Sequence, residues 1–135
     1  MSRHWLATRS RWHLAALLGI AGFFLMGGAG HFLLAPFFVA IVPGYLPAPE
    51  WLVAISGACE LLGACGLLWP VTRWAAGIGL LALTVAVLPA NLQMALHPER
   101  YAAFAPWLLM LRLPLQMVIL AWIGFAMRRA GMPTR

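Results

Sequence analysis

The sequence predicts an all-α integral membrane protein, a four-helix bundle that forms one membrane domain over residues 1–135. First, 64% of the residues are apolar and only 9% are charged, whereas soluble globular domains carry roughly 25% charged residues. Second, the chain contains four continuously apolar runs, each near the roughly 20 residues that a spanning helix needs. Third, all but one of its nine arginines lie outside these runs. This pattern excludes a soluble globular domain.

The first span is predicted over residues 13–34. Arg3, Arg9 and Arg11 precede it and resemble the start of a signal peptide, but a signal needs an apolar region of only about 7–15 residues. This run continues for about 22 residues, which is enough to cross a hydrocarbon core of roughly 30 Å. We therefore expect an uncleaved span.

The segment from Pro36 to Pro49 connects the first span to the second. It is too apolar for an aqueous loop and too rich in proline for a regular helix. We expect it to lie in the outer interface of the bilayer, as a cap over the bundle.

The other spans are predicted over residues 51–69, 74–96 and 106–127. Their continuous Leu and Ala content suits helices rather than the alternating strands of a membrane barrel. Their many glycines suit helices that pack closely in lipid. Pro114 removes an amide donor from the last span, so we expect a bend there.

The distribution of arginine predicts the orientation, because cationic flanks are retained in the cytoplasm. Arg100 alone falls on one side of the membrane. Seven arginines fall on the other side: Arg3, Arg9, Arg11, Arg73, Arg128, Arg129 and Arg135. Both termini are therefore expected in the cytoplasm. These arginines lie where anionic lipid headgroups are the natural partner, which argues against nucleic-acid binding.

Cys59 and Cys65 lie six residues apart in one apolar run. At about 100° per residue they are on different faces of a helix and cannot pair within it. The chain has no Cys-x-x-Cys motif for disulfide exchange. We expect both cysteines to be small residues packed between helices.

Five polar residues inside the spans are the candidate ligand-binding residues: His31, Glu60, Asn91, Arg112 and Gln116. At about 1.5 Å per residue they lie about 5 to 15 Å from the outer boundary, so all four spans contribute to one layer in the outer half of the membrane. Polar groups at such depth are costly, and an ionisable residue there indicates a functional site.

Glu60 and Arg112 are the only acid and base within the spans, so we expect them to form an ion pair. Gln116 shares a face with Arg112, because four residues separate them. Gly57 and Gly63 leave room beside Glu60 for another helix. Asn91 is preferred to Gln93, which lies nearer the boundary. Among the four histidines, His31 is the one expected inside the bundle.

The sequence contains no catalytic motif that we recognise. It has no nucleophile elbow, no glycine-rich phosphate loop and no cluster of residues at metal-ligand spacing. The catalytic residues are therefore unknown, and no metal is expected.

Short stretches in order across three spans carry a family resemblance. They are His31-Phe32, Pro36-Phe37, Val42-Pro43, Tyr45-Leu46-Pro47, Ser56-Gly57, Glu60, Gly63, Gly66-Leu67-Leu68, Pro70, Pro89-Ala90-Asn91 and Arg112-Leu113-Pro114-Leu115-Gln116. In these stretches, which cover roughly residues 31–122, the chain resembles the DoxX family of small four-span membrane proteins. The resemblance implies a multi-pass protein of the bacterial inner membrane, a four-helix bundle and an association with redox complexes.

Two interpretations of the function stay open, and whether the chain is an enzyme is undecided. In the first, it is a redox-associated component that binds a quinone or another small apolar molecule in the outer-half pocket, with the five polar residues orienting the polar end. In the second, it is a structural subunit whose polar layer holds helices together and whose partner is a redox enzyme subunit or another copy of the chain. Transport of a small solute by an oligomer ranks third.

Overall fold

A computed structural model describes residues 11–128, and within them every regular element is helical. The elements are α1 (Arg11–Leu33), α2 (Ala35–Ala40), α3 (Pro49–Leu68), α4 (Arg73–Ala86), α5 (Leu88–Leu96), a 3₁₀ turn (Pro98–Tyr101) and α6 (Pro106–Arg128). The prediction of an all-α protein is confirmed for this part of the chain. Arg3, Arg9, Arg129 and Arg135, which contribute to the predicted orientation, lie outside it.

Within residues 11–128, four helical segments are long and apolar enough to cross a membrane: Arg11–Leu33, Pro49–Leu68, Arg73–Leu96 and Pro106–Met127. The predicted spans agree with them to within two residues at every boundary. Large apolar side chains point outward from these helices, as shown by Met26 and Leu62, each 73% exposed. An apolar outer surface of this kind suits lipid rather than water.

The four segments form a ring in which neighbouring helices are antiparallel. α1 packs on α3, α3 on α4, and α4 and α5 on α6, which packs back on α1. The helices α1 and α3 approach each other closely, since a Cβ atom at Gly28 would come within 2.9 Å of the Gly57 carbonyl oxygen. Glycine is required at this crossing. The seam between α1 and α6 is closed by Trp122, whose indole N–H donates to the Ala16 carbonyl at 2.9 Å.

The third span is broken between α4 and α5. Pro89 lies in the first turn of α5. Its missing N–H is tolerated there, while its ring and the lost hydrogen bond disfavour a regular continuation of α4. The chain resumes as α5, which packs chiefly on α6 rather than on α3. By contrast, α6 continues as one helix through Pro114. The bend expected at Pro114 stays a prediction.

Among the described residues, most buried apolar side chains fall into two clusters at different levels of the bundle. The larger cluster comprises Leu17, Ile20, Phe24, Ala64, Leu67, Leu80, Ile119, Ile123, Ala126 and Met127. The smaller one comprises Ile41, Met94, Tyr101 and Leu109. The smaller cluster lies at the end of the bundle where residues 34–48 and 97–105 join the helices, which we call the connector end.

The connector between α1 and α3 packs onto the connector end of the bundle. Ile41 is buried there, and the Tyr101 hydroxyl donates to the Ala40 carbonyl at 3.3 Å. The expectation that proline prevents a regular helix is wrong for residues 35–40, because Pro36 occupies the first turn of α2, where no N–H is needed. Further along, Ala48 adopts a left-handed conformation with φ of 48° immediately before α3.

Two polar residues at the other end of the bundle are buried against expectation. His13 is 1% exposed, and its ring centroid lies 5.8 Å from that of Phe125, so His31 is not the only buried histidine. Arg73 is 3% exposed, and its Nε donates to the Leu67 carbonyl at 2.6 Å. Arg73 therefore satisfies the C-terminal end of α3 instead of projecting freely toward headgroups.

The expectation that the two cysteines pack between helices is wrong. Cys59 and Cys65 are both exposed on the outside of α3 and both are free thiols.

Candidate functional site

A cavity of about 480 Å³ lies inside the bundle, between the two apolar clusters. All five predicted site residues line it: His31, Glu60, Asn91, Arg112 and Gln116. Most of the remaining lining is apolar and comes from the connector and from every span. Binding pockets for small molecules commonly have volumes of about 300–1,000 Å³, with a few polar groups in a mainly apolar wall. The cavity has this character.

A chain of hydrogen bonds holds Arg112 in place on one wall, formed by α4, α5 and α6. The Nε of Arg112 donates to the Oδ1 of Asn91 at 3.2 Å, and the Nδ2 of Asn91 donates to the Oε1 of Gln116 at 2.7 Å. The Nε2 of Gln116 in turn donates to the Thr84 carbonyl. The side-chain amides of Asn91 and Gln116 are therefore hydrogen-bonded to each other, and the Oδ1 of Asn91 orients the guanidinium of Arg112.

The two terminal nitrogens of Arg112 form no hydrogen bond with any residue that the structure describes. The side chain lines the cavity and is half-buried. Arginine offers five N–H donors in a planar fork. Arg112 therefore has donor capacity left for a bound molecule.

His31 and Glu60 form the opposite wall, on α1 and α3. The Nδ1 of His31 lies 2.8 Å from the Gly27 carbonyl oxygen, and the ring stacks on Phe38 with centroids 4.1 Å apart. The Oε2 of Glu60 lies 3.7 Å from the same Nδ1. The carboxylate also lies over Gly27, because a Cβ atom there would come within 2.7 Å of Oε2.

The predicted ion pair between Glu60 and Arg112 is wrong. Within residues 11–128, the Oε2 of Glu60 lies 3.7 Å from the Nδ1 of His31 and forms no ion pair with Arg112, which is hydrogen-bonded to Asn91 instead. The physical reason is the order of helices around the ring, which places α3 diagonally across from α6. Counting depth along each span predicts the level of a residue but not its position around the bundle.

The lining residues that sequence reasoning missed include Ser56 and Phe38. Ser56 lies four residues before Glu60 and therefore on the same helical face, a signal that was available. Phe38 belongs to the connector, and no periodicity there predicts which side chain turns inward. The preference for Asn91 is supported, since Asn91 lines the cavity and Gln93 does not.

The two walls differ in chemistry. One presents the donors of Arg112, and the other presents a carboxylate and an imidazole. Among the described residues, no group of three or more His, Cys, Asp or Glu side chains comes together. The geometry is suited to holding a polar group at two points inside an apolar enclosure.

One family matches the chain in comparisons with known proteins. A family model described as a domain of unknown function, DUF8561, matches residues 20–127. This range includes every residue that lines the cavity. No curated protein and no solved structure matches the chain. The resemblance to the DoxX family stays a prediction.

Proposed function

The chain belongs to the DUF8561 family, and we propose that it binds a small, mainly apolar molecule with a polar end in the cavity. One observation carries this proposal: Glu60 and Arg112 line the same cavity but do not pair with each other. Withdrawing a charged group from water costs several kcal/mol unless partners compensate it. A bound polar group between the two walls supplies such partners.

A quinone is the first candidate for the ligand. Its carbonyl oxygens accept hydrogen bonds, and Arg112 has donors to give. Its ring and tail are apolar, as most of the cavity lining is. The DoxX resemblance adds a redox association and a bacterial inner membrane. The bias of arginine adds cytoplasmic termini, and the composition of residues 36–49 adds a connector in the outer interface. These features rest on the sequence alone.

Some residues that line the cavity are also exposed on the outside of α1, α4 and α6, which supports an apolar ligand. Phe23 and Leu115 both line the cavity, yet they are 38% and 48% exposed. Residues that border a cavity and are also exposed lie at its mouth. Because the outer surface here is apolar, this mouth faces lipid in a membrane, and a molecule dissolved in the bilayer has direct access.

A structural function is the second candidate, favoured by the hydrogen bonds from Asn91 and Gln116. These bonds join α4, α5 and α6 whether or not a ligand is present. In membrane proteins such bonds contribute about 0.6 kcal/mol each on average. This account explains the two amides, but it leaves the terminal nitrogens of Arg112 unused.

Binding of a short-chain quinone to the purified protein in detergent tests the proposal. We expect saturable binding to the wild-type chain and binding at least about 10-fold weaker to Arg112→Gln, since a charged hydrogen bond contributes about 1.5–3 kcal/mol. Gly22→Ala is the matched control, because a Cβ atom there meets nothing within 4 Å. Thermal stability is measured for each variant. Absence of binding to the wild type, or equal binding by a stable Arg112→Gln variant, contradicts the proposal.

A further inference from the structure

We infer that the polar end of the ligand carries a hydroxyl group, as in a quinol or a phenol, which donates to the His31 and Glu60 wall and accepts from Arg112. This inference rests on the proposed function and specifies the chemical class of ligand. It follows from which atoms on the two walls donate hydrogen bonds and which accept them.

The hydrogen bond at Nδ1 determines the tautomer of His31. A carbonyl oxygen only accepts, so the 2.8 Å contact with the Gly27 carbonyl requires the proton on Nδ1. In a neutral imidazole, Nε2 is then an acceptor. Nε2 has no hydrogen-bond partner among the described residues, and it is not one of the polar atoms sealed away from open space. His31 therefore presents an acceptor to the cavity that it lines.

Glu60 extends the same acceptor wall. A carboxyl group offers at least one oxygen that accepts hydrogen bonds, whether or not it is ionised, and the Oε2 atom lies 3.7 Å from the Nδ1 of His31. The Ser56 hydroxyl, which also lines the cavity, adapts to either role. This wall therefore favours a ligand that donates.

The opposite wall has the reverse character. Arg112 only donates, and the amides of Asn91 and Gln116 are engaged with each other. The carbonyls of an oxidised quinone accept from this wall but give nothing to the acceptor wall. A hydroxyl group both donates and accepts, so a quinol satisfies both walls.

Three related probes test the inference: a decyl-substituted hydroquinone kept reduced in oxygen-free buffer, its dimethyl ether and the corresponding quinone. The ether keeps the oxygens but cannot donate. We expect the wild-type protein to bind the hydroquinone about 10- to 100-fold more tightly than the ether or the quinone, as the loss of a hydrogen bond to a charged or acceptor group implies.

Two variants assign the preference to the acceptor wall. His31→Phe keeps an aromatic ring for Phe38 to stack on but removes the acceptor, and Glu60→Gln removes the charge. Each variant is expected to reduce the preference for the hydroquinone. The control Gly22→Ala, at a position on the same helix as His31 where a Cβ atom meets nothing within 4 Å, is expected to retain it. Thermal stability and binding of the quinone are measured beside each, so that a misfolded variant is recognised.

The outcomes separate this inference from the proposed function. If the wild type binds all three probes equally, the inference is overturned and the proposed function stands. If it binds none of them, the proposed function fails as well. A preference that survives unchanged in both His31→Phe and Glu60→Gln also overturns the inference.

Discussion

Substitutions at two glycines of α1 test whether the position of the Glu60 carboxylate matters for ligand binding. One glycine contacts this carboxylate and the other does not. A Cβ atom at Gly27 would come within 2.7 Å of Oε2 of Glu60, whereas one at Gly22 would meet nothing within 4 Å. The carboxylate is the far end of a flexible side chain, so it is able to move. We predict that Gly27→Ala displaces it and weakens ligand binding about 10-fold, the equivalent of one hydrogen bond.

The measurement is equilibrium binding beside thermal stability for both variants. Gly22→Ala is expected to bind as the wild type does. Equal binding by Gly27→Ala and Gly22→Ala would show that the position of the carboxylate does not matter for the ligand.

The hydrogen bonds that hold Arg112 are tested by a second pair of substitutions. Gln116→Leu removes two bonds between helices, to Asn91 and to the Thr84 carbonyl. Thr84→Val removes only a bond within α4, from the hydroxyl to the Leu80 carbonyl at 2.7 Å. We predict a loss of about 1–2 kcal/mol in unfolding free energy for Gln116→Leu and less than about 0.5 kcal/mol for Thr84→Val. Reversible unfolding in detergent measures both, and a larger loss for Thr84→Val contradicts the arrangement.

At the level of single residues, the sequence predicts which side chains belong to the same site. It predicts less well which of these side chains contact one another. Glu60 and Arg112 are rare charges in apolar runs, and rise per residue places them at similar depth. Their partners depend on which helices are neighbours in the bundle. The pattern of apolar residues along a helix in lipid does not predict its neighbours. His31 was consequently not recognised as the partner of Glu60.

At the level of the elements, two prolines within the spans have different consequences. Pro89 coincides with the break between α4 and α5, while Pro114 lies inside an unbroken α6. We predict that Pro89→Ala favours a continuous third span, brings its end closer to α3 and weakens ligand binding. Pro114→Ala is expected to leave binding unchanged.

Distances between spin labels on the ends of α3 and α5 measure the predicted movement, beside a binding assay. A shorter distance with weaker binding is expected for Pro89→Ala alone. The account of how the cavity forms is contradicted if Pro89→Ala keeps the wild-type distance and affinity.

The boundaries of the spans were predictable because they depend on length and hydropathy, which are local properties of the chain. The helix at residues 35–40 and the break at Pro89 were not. Proline is compatible both with the first turn of a helix and with its interruption, and only packing against the rest of the bundle decides between them. The close contact at Gly57 agrees with the room that its small size was expected to leave.

For the whole molecule, the bias of arginine predicts that both termini are cytoplasmic. Reporters active in the cytoplasm should therefore work at both termini and after Pro70, and reporters active outside should work near Tyr45 and His97. Fusions at these positions in a bacterial host make the measurement. A C-terminus found outside the cytoplasm would contradict the predicted orientation.

The architecture of the whole molecule shows what a single sequence leaves open. A four-helix bundle follows from four apolar runs with short connections, such as residues 69–72. The cavity follows from the separation of the diagonal helices and from the connector that covers one end, with Phe38 and Ile41 among its lining residues. Neither the separation of the diagonal helices nor the position of the connector is predictable from one segment of the sequence alone.

The most direct test of the central claim is an experimental structure of the protein in a lipid nanodisc with a saturating short-chain quinone or quinol. The account predicts the ligand ring inside the cavity between Glu60 and Arg112, with a ligand oxygen within about 3.2 Å of a terminal nitrogen of Arg112. A cavity filled by protein side chains, or a ligand bound only at the outer surface of the bundle, would contradict it.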